Sequence, residues 1–98
     1  MQINGFDWDE GNWPKCAKHG VSKQDIETAL TGKVKIYEDP TSPINEQRYR
    51  AIGLNDAGRR VLVVFCIRRR TGQPVLRPIS ARFMHQKEVS YYEQQTKA

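Results

Sequence analysis

The sequence predicts an α+β fold: a small antiparallel β-sheet with two N-terminal helices and a C-terminal helix, in the order β-α-α-β-β-β-α. Three observations carry this expectation. The stretch CAKHGVSKQDIETAL, residues 16–30, reads as two helical pieces separated at Gly20. Residues 34–82 hold β-branched and aromatic runs divided by turn formers. From about His85 the pattern returns to helical spacing, with Val89 and Tyr92 at i, i+3. A chain of 98 residues suits a single domain, 1–98, with one modest core.

The first apolar residues, Ile3 and Phe6 in QINGF, read as a short strand. Asn12 is the expected cap of a first helix running to about Lys18, because Pro14 is tolerated only in a first turn. Gly20 ends that helix in the left-handed conformation. Ser22 and Asp25 have the spacing of a capping box and open the second helix. Ile26, Ala29 and Leu30 form its buried stripe, and TGK, 31–33, stops it.

A meander follows. VKIY, 34–37, alternates; EDPTSPINE, 38–46, is a loop; QRYRAIGL, 47–54, is a strand; NDAG, 55–58, is a turn. RRVLVVFCI, 59–67, is apolar without interruption, so it is expected at the centre of the sheet, buried on both faces. RRRTGQP, 68–74, reads as a basic hairpin tip, and VLRPISAR, 75–82, as the last strand. Pro78 cannot donate to a ladder, which places it at an edge, a bulge or a switching point.

Several function classes are disfavoured. The longest apolar run, VLVVFCI at 61–67, is far too short to span a bilayer, and no signal-peptide pattern is seen at the N-terminus, so a cytoplasmic location is expected. Cys16 and Cys66 are far apart without CxxC spacing and read as buried, inert thiols. His19 and His85 are remote from each other, and no metal-ligand spacing exists, so neither a metal nor another cofactor is expected. A helix-turn-helix reading of residues 16–30 fails on charge, since SKQDIETALT carries one lysine against two acids.

The charge is segregated along the chain. Residues 1–46 carry five Lys and eight Asp/Glu (5 − 8 = −3), and residues 47–98 carry eleven Lys/Arg and three Asp/Glu (11 − 3 = +8). Nine of those eleven are arginine, whose planar fork matches phosphate. An anionic partner is expected: RNA, DNA or an acidic protein. Strand alternation puts Arg48 and Arg50 on one face, with Glu46 of the same parity as their candidate carboxylate. Arg82 ends the last strand ahead of a helix, a position that favours phosphate. Arg50, Arg68, Arg69, Arg70 and Arg77 are candidate RNA contacts. Tyr91 and Tyr92 read as core or rim packing, with base stacking by Tyr91 as the sharper alternative. For His19, the positive Lys18–His19 pair at a helix C-terminus is explained by the helix dipole alone.

WDEGN (8–12), KHGVS (18–22), Glu46-x-Arg48-x-x-x-Ile52-Gly53, VLVV (61–64) and ISAR (79–82) followed by Glu88 and Tyr92 resemble, in order and spacing, the BrnT toxins of type II toxin–antitoxin pairs. The resemblance covers roughly residues 6–93, and departs from the family pattern at Pro14, Lys15, Pro78 and FMHQKE. It implies a RelE-like fold and a ribonuclease that inhibits translation. It also implies a BrnA-like antitoxin with a ribbon-helix-helix DNA-binding part, with DNA bound only through the complex. On that footing a metal-independent endoribonuclease would take Glu46 or His19 as base, Arg48 and Arg82 as stabilisers of one phosphate, and Lys18 or His19 as acid. The competing class is a non-enzymatic basic module that docks an acidic partner protein and acts as co-repressor; the charge asymmetry fits both.

Overall fold

The computed structural model describes residues 5–96, with side chains as far as Tyr91. A 3₁₀ helix, Lys15–His19, precedes helix α1, Lys23–Thr31. Four strands follow, β1 (Lys35–Glu38), β2 (Arg48–Leu54), β3 (Arg60–Arg70) and β4 (Gln73–Phe83), and then helix α2 (Gln86–Thr96). The strands pair antiparallel in the order β1-β2-β3-β4. The expected α+β class holds, but the order is two helices, four strands and a helix rather than β-α-α-β-β-β-α.

The order differs twice: four strands rather than three follow the helices, and no N-terminal strand forms among the described residues. Residues 2–4 of QINGF lie outside the described residues, and Phe6 makes one isolated parallel bridge with Leu76. Two hydrogen bonds hold it: Leu76 N–H to the Gly5 carbonyl (3.0 Å) and Asp7 N–H to the Leu76 carbonyl (2.8 Å). Pairing ends there because the chain turns at residues 9–13, where the Asp9 carbonyl accepts N–H bonds from Asn12 and Trp13.

Asn12 was expected to cap the first helix, and instead it is a buried strut. Its Oδ1 accepts the Asp9 N–H (2.8 Å), and its Nδ2 donates to the carbonyls of Asp7 (2.9 Å) and Pro78 (2.8 Å). With the amide so occupied, the helix starts after Pro14 without a side-chain cap and is a 3₁₀ helix of five residues. Gly20 closes it at φ 85°, as the sequence suggests. The α1 cap is as expected: Ser22 Oγ accepts the Asp25 N–H (3.0 Å) and Asp25 Oδ2 accepts the Ser22 N–H (3.1 Å).

α1 lies on one face of the sheet, and Ile26, Ala29 and Leu30 join Cys16, Val21, Ala51, Val61, Val63, Phe65, Leu76 and Ala81 in one core. β3 is central, as its apolar run predicts, with Leu62 and Cys66 buried on the opposite face. Both cysteines are free and buried, and burial raises both thiol pKa values above the ordinary range. The basic stretch 68–70 is not a hairpin tip. β3 continues through Arg70, which faces Gln73, and only Thr71 (φ 50°) and Gly72 (φ 80°) turn the chain. Two consecutive positive-φ residues match the right-handed twist of the strands, so two residues suffice.

β4 carries a bulge. Val64 faces Ser80 but Phe65 faces Pro78, leaving Ile79 as the extra residue. Pro78 thus lies on an edge strand beside a bulge, as a residue without an N–H must.

Two variants test this packing. A Cβ on Gly53 would stand 2.0 Å from the Ala29 carbonyl oxygen, so Gly53→Ala is expected to push α1 off the sheet and cost about 2–3 kcal/mol in urea unfolding. Asn12→Ala leaves the Pro78 carbonyl and its neighbours short of donors, and is expected to cost about 1–3 kcal/mol in the same measurement.

Candidate functional site

The sheet face opposite α1 is an arginine face. Directly paired residues point the same way, so the register determines its members. Arg48 pairs with Cys66 and Cys66 with Arg77; Ile52 pairs with Leu62 and Leu62 with Arg82; Arg50 pairs with Val64. Arg68 and Arg70 alternate with Cys66 along β3 and share the face. Arg60, which the sequence reading did not single out, joins it at the far end opposite Leu54. Arg77 and Arg82 have opposite parity in the sequence, and an unbroken strand would put them on opposite faces. The bulge at Ile79 brings both to the same one.

Carboxylates stand among these cations. Glu46 bridges two of them: Oε1 is 3.3 Å from Arg48 Nε, and Oε2 is 2.9 Å from Arg68 NH2. The loop before β2 fixes Glu46. Ser42 Oγ donates to the Asp39 carbonyl (2.7 Å) and accepts the Arg48 N–H (2.9 Å). Asp39, buried, accepts the Thr41 N–H and hydroxyl and lies 3.2 Å from Arg50 NH2. The Thr41 backbone bond chiefly holds its carboxyl below the usual range.

The other end of the face is held from the N-terminal segment. Arg77 makes two 3.0 Å bonds to the Asp9 carboxylate and one of 3.3 Å to Asp7 Oδ2, which Arg70 NH2 also reaches at 2.9 Å. The Arg77 bond lowers the Asp9 pKa, and the same contact raises that of Arg77. Arg82 pairs with both oxygens of Glu88 at 2.6 Å, while Glu88 Oε1 also accepts the His85 N–H (3.2 Å) at the start of α2.

Arg48, Arg68 and Glu46 are therefore together, and Arg50, Arg70 and Arg77 lie on the same face. Arg82 shares that face at a distance. The register sets it four residues along β3 and two strands across from Arg48, ~13 Å by ~10 Å at standard strand spacings. Arg69 alternates away and donates to the Gly72 carbonyl (3.1 Å). Lys18 and His19 are exposed on the 3₁₀ helix, whose Cys16 enters the core on the opposite face. Tyr91 is exposed, and the Tyr92 side chain lies outside the described ones. Among the described residues no group of three or more His, Cys, Asp or Glu could hold a metal ion. No helix is long and apolar enough to cross a membrane among them. The sequence reading missed Asp7, Asp9 and Asp39 as partners; the acidic balance of residues 1–46 was the available signal.

The chemistry available is that of a carboxylate standing between guanidiniums: a proton-accepting group beside cations that bind phosphate oxygens bidentately. At α2, the Arg82 guanidinium holds the Glu88 pKa down to about 2, from 4.5. A depressed pKa gives stability that is complete above about pH 4.5 and lost as pH falls through about 2. Both side chains are partly exposed, at 40% and 28%, so the pair contributes no more than about 1 kcal/mol. Glu88→Gln is expected to flatten that acid limb, read by urea unfolding across this pH range.

A family model described as the ribonuclease toxin BrnT of type II toxin–antitoxin systems matches residues 8–88, which span the arginine face and its carboxylates other than Asp7. No curated protein matches the chain. With most of its length matched, the chain belongs to the BrnT family of type II toxin–antitoxin ribonuclease toxins.

Proposed function

We propose that this chain is a metal-independent endoribonuclease that cuts RNA on the arginine face and so inhibits translation in the cytoplasm. A BrnA-like antitoxin with a ribbon-helix-helix domain neutralises it, and DNA is bound through that complex alone. The four-stranded antiparallel sheet with flanking helices supports a RelE-like fold. The observation that carries the catalytic reading is Glu46 standing between Arg48 and Arg68.

In this reading the phosphodiester enters beside Glu46, and Arg48 takes its non-bridging oxygens. Glu46 accepts the proton of the 2′-hydroxyl, the 2′ oxygen attacks phosphorus, and the bond to the 5′ oxygen breaks. The products are a 2′,3′-cyclic phosphate and a 5′-hydroxyl whose proton comes from water. Arg48 stabilises the charge that builds on the phosphorane. Lys18 and His19 are given no role in this step, since they stand exposed on a helix that packs through Cys16 into the core on the other face. Arg82, engaged with Glu88 and distant from Arg48, contacts the RNA elsewhere along its path.

Purified chain incubated with total RNA tests this. Glu46→Gln is expected to slow cleavage by about 10²–10⁴-fold. Arg48→Ala is expected to slow it by about 10²–10³-fold. Unchanged cleavage in both variants would sink the catalytic assignment. If the parent chain cuts nothing yet binds a co-encoded acidic protein tightly, the non-enzymatic co-repressor reading replaces it.

A further inference from the structure

At the β3–β4 turn the sheet carries an open cavity of about 500 Å³, lined by Asp9, Arg68, Arg69, Arg70 and Arg77. Arg68, Arg70 and Arg77 bring three cations of the face to it against one carboxylate, Arg69 borders it at the turn, and the lining holds no aliphatic or aromatic residue. Such a lining attracts an anion. The size suits a nucleotide's phosphate and sugar. The cavity also continues the Glu46 centre, since Arg68 belongs to both: its NH2 lies 2.9 Å from Glu46 Oε2. Arg70 follows Arg68 by one strand repeat, ~7 Å, a step along the sheet comparable to one nucleotide of an extended strand.

The lining arginines have partners, and those partners leave donors over. A guanidinium has five N–H groups. Arg68 and Arg70 each show one ion pair, with Glu46 and Asp7, and their side chains are 47% and 59% exposed. Exposed pairs of this kind are weak enough for a phosphate to share or displace. Arg77 is different: it is 16% exposed and bonded to both Asp7 and Asp9, so it supplies field more than free donors.

We propose that this cavity is a second phosphate subsite, which holds the phosphodiester adjacent to the scissile one in a single-stranded RNA. It rests on the ribonuclease reading and extends it in two ways. The chain then acts best on RNA of at least three nucleotides, because a dinucleotide carries only the scissile phosphate. The subsite is also indifferent to base identity, since backbone contacts position a strand without reading it.

Binding of non-cleavable 2′-deoxy oligonucleotides without terminal phosphates tests the subsite separately from catalysis. In the parent chain, a trinucleotide is expected to bind about tenfold more tightly than a dinucleotide, the worth of one charge-assisted contact. Arg70→Gln is expected to shrink that gain to about threefold or less. Asp7→Asn removes the same ion pair while keeping the cation, and is expected to retain or increase the gain. Retention of the full gain in Arg70→Gln overturns the proposal. So does its loss in Asp7→Asn, which would trace the effect to the anchored N-terminal segment, and so does dependence on the added base. Cleavage of ribo-oligonucleotides of the same lengths separates the two readings. A length gain in binding with no cleavage by the parent chain leaves the subsite standing without the ribonuclease. Cleavage without any length gain overturns the subsite alone.

Discussion

Placing many guanidiniums on one face of a small sheet is an electrostatic problem, and the way this chain solves it organises the rest of the structure. Arg48, Arg50, Arg68, Arg70, Arg77 and Arg82 all come from the basic second half of the sequence. Of the carboxylates that meet them among the described residues, Asp7, Asp9, Asp39 and Glu46 come from the acidic first half, and Glu88 does not. The charge segregation along the chain is thus the one-dimensional trace of a three-dimensional pairing. It explains why the N-terminal segment lies along the edge of β4 and why the loop before β2 is ordered by its own hydrogen bonds. In each case a carboxylate has to be delivered to a guanidinium.

A single inserted residue decides which arginines take part. Side chains alternate along a strand with period two, so Arg77 and Arg82 belong on opposite faces unless the register slips between them. The extra residue at Ile79 supplies that slip, and Pro78 beside it removes an N–H that the ladder could not have used. Asn12 then donates to the Pro78 carbonyl, which ties the turn of the N-terminal segment to the irregular part of β4. The bulge, the proline and the buried asparagine form one device that keeps Arg77 within reach of Asp7 and Asp9.

Much of this was legible where local rules act alone. The Ser22–Asp25 box, the Ile26, Ala29, Leu30 stripe, the central position of the apolar run in β3 and the shared face of Arg48 with Arg50 all follow from spacing. So does Glu46 as the carboxylate beside Arg48. The rest depends on distant partners. Asn12 looks like a helix cap until the Pro78 carbonyl, 66 positions away, claims its amide. The run 68–70 looks like a solvated tip until two positive-φ residues prove sufficient for the turn. Arg48 and Arg82 share a face, but only the register shows that four residues and two strands lie between them. A bulge has no signature in a single sequence beyond a proline that fits several explanations.

The resident carboxylates have a consequence for binding. An arginine face with no counter-ions would bind any polyanion tightly and would strain the fold by self-repulsion. Here the cations are partly neutralised by pairs that differ in exposure. The Glu46, Asp7–Arg70 and Glu88 contacts are open to solvent on at least one side, whereas Arg77 is held between two aspartates. On the proposed function, an incoming strand would therefore exchange phosphate for carboxylate at the exposed pairs and meet a fixed positive field at Arg77. Each exchange replaces one anion by another, so its net gain is smaller than that of a bare guanidinium. Discrimination then depends on geometry, because only an anion that spans successive guanidiniums at the spacing of the strand recovers what the displaced carboxylates gave up.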